Sequence, residues 1–262
     1  MDCEVTKRLA EIIMLIKEGR EASVEPWELA TAILNQYPTM RPATPEDPQI
    51  LLSRLLSTIF EGLLDTSPIR KLFLGEFITW MESGDPSQNF QPQCEPFFFS
   101  FRLSMPSEIL GDPERTGTLD DCLRQSFASV QVKTAKGSCN IWKRFQETPE
   151  ILCFSLRRIG RQFISNVIEF PLTGLDLSAY FDPRRQAVTY DLTAVLEVVC
   201  DDKSSGSQGN QSSSWHYRTL ARHPEKECWL RFDDDIVQSI RDTDVVSSAA
   251  LGLIYVRRKR AA

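Results

Sequence analysis

Tyr190-Asp-Leu-Thr-Ala-Val-Leu-Glu-Val-Val-Cys200, Trp215-His216-Tyr217 and Cys228-Trp229-Leu230-Arg231-Phe232-Asp233-Asp234-Asp235 are three pieces of one stretch, residues 190–235, whose reading decides the fold. The first piece reads as a long strand. A soft tract follows, a histidine arrives on a second strand, and a third short apolar strand delivers a run of carboxylates. This is how a chain presents an imidazole and an orienting acid to a thiol nucleophile. His216 is the candidate base, Asp233 the carboxylate that would hold its tautomer, and Asp234 a second polar support. The same residues also suit a strand histidine beside a packed tyrosine and a solvated acidic turn, and pattern alone leaves both readings open.

Outward from this stretch, residues 201–214 are Ser, Gly, Gln, Asn and Asp with one Lys and no apolar residue, so a flexible loop is expected. Residues 251–256 read as the last strand. Upstream, residues 151–158 and 167–170 read as strands, the second stopped by Pro171. Thr118-Leu-Asp-Asp121 caps a short helix through Leu123 and Phe127, after a turn-rich loop at 107–117. Phe97, Phe99, Phe101, Leu103 and Met105 alternate with Phe98, Ser100, Arg102 and Ser104, the two-residue period of one strand. Residues 72–81 read as strand and 83–93 as a second soft tract. Ahead of these the period is helical. Val5, Leu9, Ile12, Ile13 and Ile16 share a face over 3–18, with Asp2 placed as cap and Gly19 as stop. A second helix starts at Pro26 and ends at Tyr37-Pro38. Thr44-Pro45-Glu46-Asp47 opens a third, with Leu51, Leu52, Leu55, Leu56, Ile59 and Leu63 inward and residues 65–68 ending it. Helices first and mostly antiparallel strands after them make an α+β chain, with a helical lobe at 1–68 and a β-rich lobe at 69–262.

The 262 residues carry a net charge of −6, so a broad nucleic-acid interface is not expected. No apolar run approaches the roughly 18 residues that span a bilayer, and no secretory pattern opens the chain. Seven scattered cysteines suggest free thiols in a reducing compartment, cytoplasmic or nuclear. The basic cluster at 257–260 reads as a solvated end in preference to a nuclear signal. Cys122, Cys153 and Cys200 read as small core residues and His223 as a loop residue. Cys94 and Cys139 flank loops with nothing beside them to lower a thiol pKa. No cofactor is expected.

Several blocks, in order, resemble the ubiquitin-specific protease family of thiol deubiquitinases. They are Ile69-Arg-Lys-Leu-Phe-Leu-Gly75, Phe97 to Leu103, Thr118-Leu-Asp-Asp-Cys-Leu123, Thr148-Pro-Glu-Ile-Leu-Cys-Phe-Ser-Leu-Arg157, Ile168-Glu-Phe-Pro171, Leu175-Asp-Leu-Ser-Ala-Tyr180, Trp215-His216-Tyr217, Trp229-x-x-Phe232-Asp233-Asp234 and Ala250-Leu-Gly-Leu-Ile-Tyr255. The resemblance covers about residues 69–257 and reaches more weakly to 45–56. It implies a papain-like fold with a partial helical thumb and antiparallel fingers and palm, and ubiquitin or its conjugates as partner. It implies His216 as base, Asp233 and Asp234 as its carboxylates, and Asp47 and Tyr217 as contacts to the ubiquitin tail. Taken without the resemblance, Asp47 reads first as a helix-capping acid and Tyr217 as a half-buried tyrosine.

The chain departs from the family pattern at four places. The nucleophile's Asn-x-Cys box is not found, and Cys3 lies too close to the next helix to supply it. Trp80-Met81-Glu82-Ser83 and Ser138-Cys139-Asn140-Ile141-Trp142 stand where two Cys-x-x-Cys pairs often hold zinc, and one cysteine cannot hold the ion, so no metal is expected. Trp215 replaces the usual Gly before the histidine and would narrow the substrate channel. Glu197-Val198-Val199 stands where His-x-Gly is common. The expectation is a catalytically silent or truncated homologue that keeps part of a ubiquitin-binding surface. An active isopeptidase with its box upstream, or a scaffold for another partner, remain alternatives. A truncated helical lobe would leave an apolar stripe over 5–16 or 51–63 for a protein partner to cover.

Overall fold

A computed structural model describes residues 3–19, 24–40, 47–61, 68–83, 91–134, 137–158, 163–182, 188–201 and 214–259. Asp2, the expected cap at Thr44, the end of the third helix, most of both soft tracts and Arg260 lie outside the described residues. Contacts divide the chain into two units, Met1–Arg70 and Lys71–Ala262.

The first unit holds helices α1 (Glu4–Glu18), α2 (Trp27–Gln36) and α3 (Pro48–Glu61). Cys3 occupies the N-cap of α1 without a side-chain bond, and Gly19 ends the helix with φ 60°, its N–H donating to the Leu15 carbonyl. Ile13, Met14, Leu15 and Ile16 are consecutive, so at 100° per residue they cannot share one face, and all four are exposed. The second helix starts at Trp27, one residue later than read, with Pro26 at its cap. The third starts at Pro48, with Asp47 as its flanking residue: the Asp47 carboxylate accepts from the Gln49 N–H at 2.9 Å. The hydroxyl–proline signal read at Thr44-Pro45 is thus realised three residues later as Asp47-Pro48, with proline in the first helical position. Val5, Ala32, Ile33 and Met40 form this unit's core, with Leu29, Leu51 and Leu55 against them.

The second unit begins within α4 (Pro68–Phe73). In order it contains β1 (Leu74–Ser83), β2 (Gln93–Phe98), β3 (Ser100–Leu103), α5 (Ser107–Leu110), β4 (Gly117–Thr118), α6 (Leu119–Phe127), β5 (Val130–Thr134), β6 (Gly137–Glu147), β7 (Ile151–Leu156), β8 (Ile168–Glu169), β9 (Leu175–Asp176), β10 (Thr189–Asp201), β11 (Ser214–Arg222), β12 (Trp229–Asp233), β13 (Ile236–Ile240) and β14 (Ala250–Arg257). Three readings are corrected. Leu72 and Phe73 belong to α4, so the strand begins at Leu74. The strands read at 151–158 and 167–170 shorten to β7 and β8. The alternation from Phe97 to Met105 is broken at Phe99, which takes φ 58°. That kink sends β2 into one sheet and β3 into another, and Phe99 is itself buried, which holds a residue that ordinarily avoids this conformation.

The first sheet runs β2-β1-β6-β5 and is antiparallel throughout. Ser83 pairs with Cys139 and Trp80 with Trp142, whose rings stack 6.2 Å apart, so an aromatic pair joins the two segments where zinc pairs were considered. The second sheet runs β13-β12-β11-β10-β14-β7-β3, with β3 parallel to β7 and the other pairs antiparallel. Phe77, Phe101, Phe127, Phe145 and Phe154 pack between these elements with Leu152, Val195, Leu220, Trp229 and Leu253. Thr118 and Asp121 form the predicted capping box on α6. Arg158 is fully buried and donates to the carbonyls of Ala250, Ile164 and Asn166, tying three segments to the sheet.

Candidate functional site

Strands β10, β11 and β12 build the site. Along β10, Val195 and Val198 are buried and the β-branched residues suit a pleated, covered strand. Register places His216 opposite Val199, Arg218 opposite Glu197 and Thr219 opposite Phe232. Side chains alternate along a strand, so His216, Arg218 and Leu220 share a face with Glu197 and with Asp233 on β12. Asp234 and Asp235 form the two-residue turn that returns the chain as β13, with Asp233 opposite Ile236. Asp234 carries φ 52°, a conformation that Asp tolerates better than most residues.

The sequence-predicted pair meets: His216 Nε2 lies 2.5 Å from Asp233 Oδ1. Their side chains are 31% and 33% exposed, so the pair is open to a substrate yet partly desolvated. In the neutral ring, Nε2–H donates to the carboxylate and the lone pair resides on Nδ1. That is the arrangement of a general base whose tautomer an acid holds. One ring nitrogen of His216 and one oxygen each from Asp233 and Asp234 lie within 4.8 Å of one another, and these are the three residues among those described that can converge on a metal ion.

Two residues along the same face, the carboxylate of Glu197 is 1% exposed. It accepts from Arg218 Nε at 2.6 Å and from Ser247 Oγ at 2.5 Å. Arg218 and Ser247 were not singled out from sequence. The available signal was that Glu197, noted only as a departure, sits among Val195, Val198 and Val199 and needs a cation when buried.

Other candidates fall elsewhere. Tyr217, one residue from His216, points to the opposite side of the sheet by alternation and is half-buried. Asp47 lies in the first unit and caps α3. Trp215 packs against Phe163, with ring centroids 5.4 Å apart. His223 Nδ1 accepts from the N–H groups of Glu225 and Lys226 and so shapes a turn.

Four of the described thiols make hydrogen bonds, and Cys228, half-buried ahead of β12, is a further free thiol. Cys3 Sγ donates to Gln36 Oε1, Cys94 to Gln146 Oε1 and Cys139 to the Val132 carbonyl. Cys153 is fully buried and donates to the Phe154 carbonyl. Cys139 does not flank a loop as read: it is buried within β6. Burial, reinforced by the Asp121 charge, pushes the Cys122 thiol up to about 11, which keeps it protonated at neutral pH.

The family model described as ubiquitin carboxyl-terminal hydrolase matches residues 1–255. Human ubiquitin carboxyl-terminal hydrolase 3 is 26% identical over 235 residues, covering 79% of this chain and 40% of the relative. Ubiquitin carboxyl-terminal hydrolase 12 of Saccharomyces cerevisiae is 32% identical over 167 residues, covering 56% of this chain and 12% of the relative. Among solved structures, Ubp8 in the Ubp8-Sgf11-Sgf73-Sus1 SAGA DUB module superposes with a TM-score of 0.74 at 16% identity, over 99% of this chain and 58% of that one. The module bound to monoubiquitin gives 0.77 at 16% identity, over 99% of this chain and 60% of that one. The chain thus spans well under half the length of these two curated relatives.

Proposed function

This chain belongs to the ubiquitin carboxyl-terminal hydrolase family, with its α+β fold, and from that premise we propose that residues 1–262 bind ubiquitin and carry the base and orienting acid of a thiol hydrolase without the thiol. The observation that carries this reading is the 2.5 Å bond between His216 and Asp233. Nδ1 of His216 would take a thiol proton and later return it to the leaving amine, while Asp233 steadies the imidazolium that forms. Without a sulfur at Nδ1 no covalent acyl intermediate would form, and the surface would act by binding alone. Four described thiols are bonded elsewhere and Cys122 is held protonated, which supports this reading; Cys228 is the other described free thiol. The relatives include a module whose structure is described as bound to monoubiquitin, which supports ubiquitin as the ligand.

Titration of isotope-labelled ubiquitin with the full chain tests the binding half. Saturable shifts that include the ubiquitin C-terminal tail are expected. A titration without shifts would leave the scaffold for another partner as the function. A second reading, a ubiquitin isopeptidase whose nucleophile comes from outside these residues, is favoured by the dyad itself, whose geometry is that of a working base. A natural transcript encoding an Asn-x-Cys box ahead of Met1 would establish that reading.

A further inference from the structure

A sheet edge offers unpaired N–H and C=O groups, and proteins ordinarily blunt it with charge, proline, brevity or a covering element. Three edges among the described residues are blunted. On β2, Glu95 and Pro96 stand in the strand. On β5, Lys133 does. Strand β3 has four residues, and α6 packs on it, with Phe101 and Leu103 buried. The remaining long edge is β13, Ile236-Val-Gln-Ser-Ile240, with neither charge nor proline. Its one described neighbour is β12. Ile236 is 53% exposed and Val237 55%, and Phe232, opposite Val237, is 39% exposed.

We propose that the free edge of β13 docks an extended, lysine- or arginine-rich segment of a partner protein by strand addition. Backbone hydrogen bonds would supply affinity, Val237 would contact apolar side chains on one face of the segment, with Phe232 behind it on β12, and Ile236 would contact the other face. Charge selects the occupant. Residues 233–244 hold five aspartates, at 233, 234, 235, 242 and 244, against Arg241, which is already paired with Asp244. Acid therefore flanks both ends of an uncharged strand, which attracts basic residues at the ends of an added strand. The same charges oppose a second copy of this chain, because antiparallel β13–β13 pairing would bring both acidic flanks together. The inference does not depend on a thiol or on ubiquitin binding.

The test is a fluorescein-labelled decapeptide of alternating lysine and valine, titrated against the full chain at low and high salt beside its glutamate–valine counterpart. The basic peptide is expected to bind, to weaken with salt, and to slow hydrogen exchange in residues 236–240; the acidic peptide is expected not to bind. Val237→Lys places a charge on the edge and is expected to weaken binding by at least ~10-fold. Val130→Lys makes the same change at an exposed valine of β5, 58% accessible, and is expected to leave binding unchanged. Absence of binding, equal binding by Val237→Lys, or protection outside residues 236–240 would overturn the proposal. So would self-association of the chain that Val237→Lys abolishes, since the occupant would then be a second copy. Exchange protection is read on the unmutated chain, so misfolding of a variant cannot mimic or hide it.

Discussion

Glu197→Ala is predicted to destabilise the β-rich unit more than any other single change near the site. The carboxylate is 1% exposed and accepts two charge-assisted hydrogen bonds, from Arg218 at 2.6 Å and Ser247 at 2.5 Å. Removing one partner of a buried pair leaves the other charge without compensation, at a cost of about 3–5 kcal/mol. Arg218 retains 22% side-chain exposure, so water can reach it and the lower half of that range applies. For a unit of this size about 3–4 kcal/mol lowers Tm by roughly 6–16 °C. The assay is urea unfolding followed by fluorescence of Trp229, which is buried on the neighbouring β12. Glu197→Ala, Arg218→Ala and the double variant complete a cycle. The double variant should lose less than the sum of the singles, because each single strands the other partner. A Glu197→Ala midpoint shift worth under ~0.5 kcal/mol, or additive singles, would show that the pair does not hold the strands together.

Gly75→Ala should cost about 1–3 kcal/mol, since a Cβ there would lie 2.4 Å from the ring of Phe97, itself stacked on Phe77; calorimetry checks it. Asp234→Gly should leave stability within ~0.5 kcal/mol, whereas Asp234→Val should lose about 1–2 kcal/mol, because a β-branched residue resists the φ of 52°; the difference is read by thermal melts. Iodoacetamide at mildly alkaline pH, followed by peptide mass mapping, should label exposed Cys94 and spare Cys122. The thiol of Cys122 also sets a pH trend. Its folded pKa is raised from 9.0 to about 11, so its stabilising contribution is full below about pH 9 and is lost as pH climbs through 11.

The site was legible in sequence where strand periodicity and family blocks agreed. His216 and Asp233 sit on strands whose apolar neighbours announce them, and the register brings the two side chains together. Three features were hidden for identifiable reasons. Phe99 breaks an unbroken alternation, because burial of its ring sustains a backbone conformation that local preference opposes. The sequence pattern does not mark β6, because Lys143 occupies an inward position; its ammonium lies 4.8 Å from the Phe77 ring centroid and 5.0 Å from that of Phe101, so aromatic faces accept a charge there. The burial of Glu197 depends on Arg218 and Ser247, the latter 50 residues distant in sequence, and no local pattern encodes such a partner. Helix starts failed by a small margin for a related reason, since Thr44-Pro45 and Asp47-Pro48 speak the same capping grammar.

Intact-mass analysis of the pure 262-residue chain after incubation with ubiquitin carrying a C-terminal thiol-reactive group addresses the dyad most directly. The unmodified mass is expected throughout, with ubiquitin held only reversibly. A covalent adduct that Asp233→Ala slows and His216→Ala abolishes would reveal a thiol within reach of Nδ1 and contradict the account.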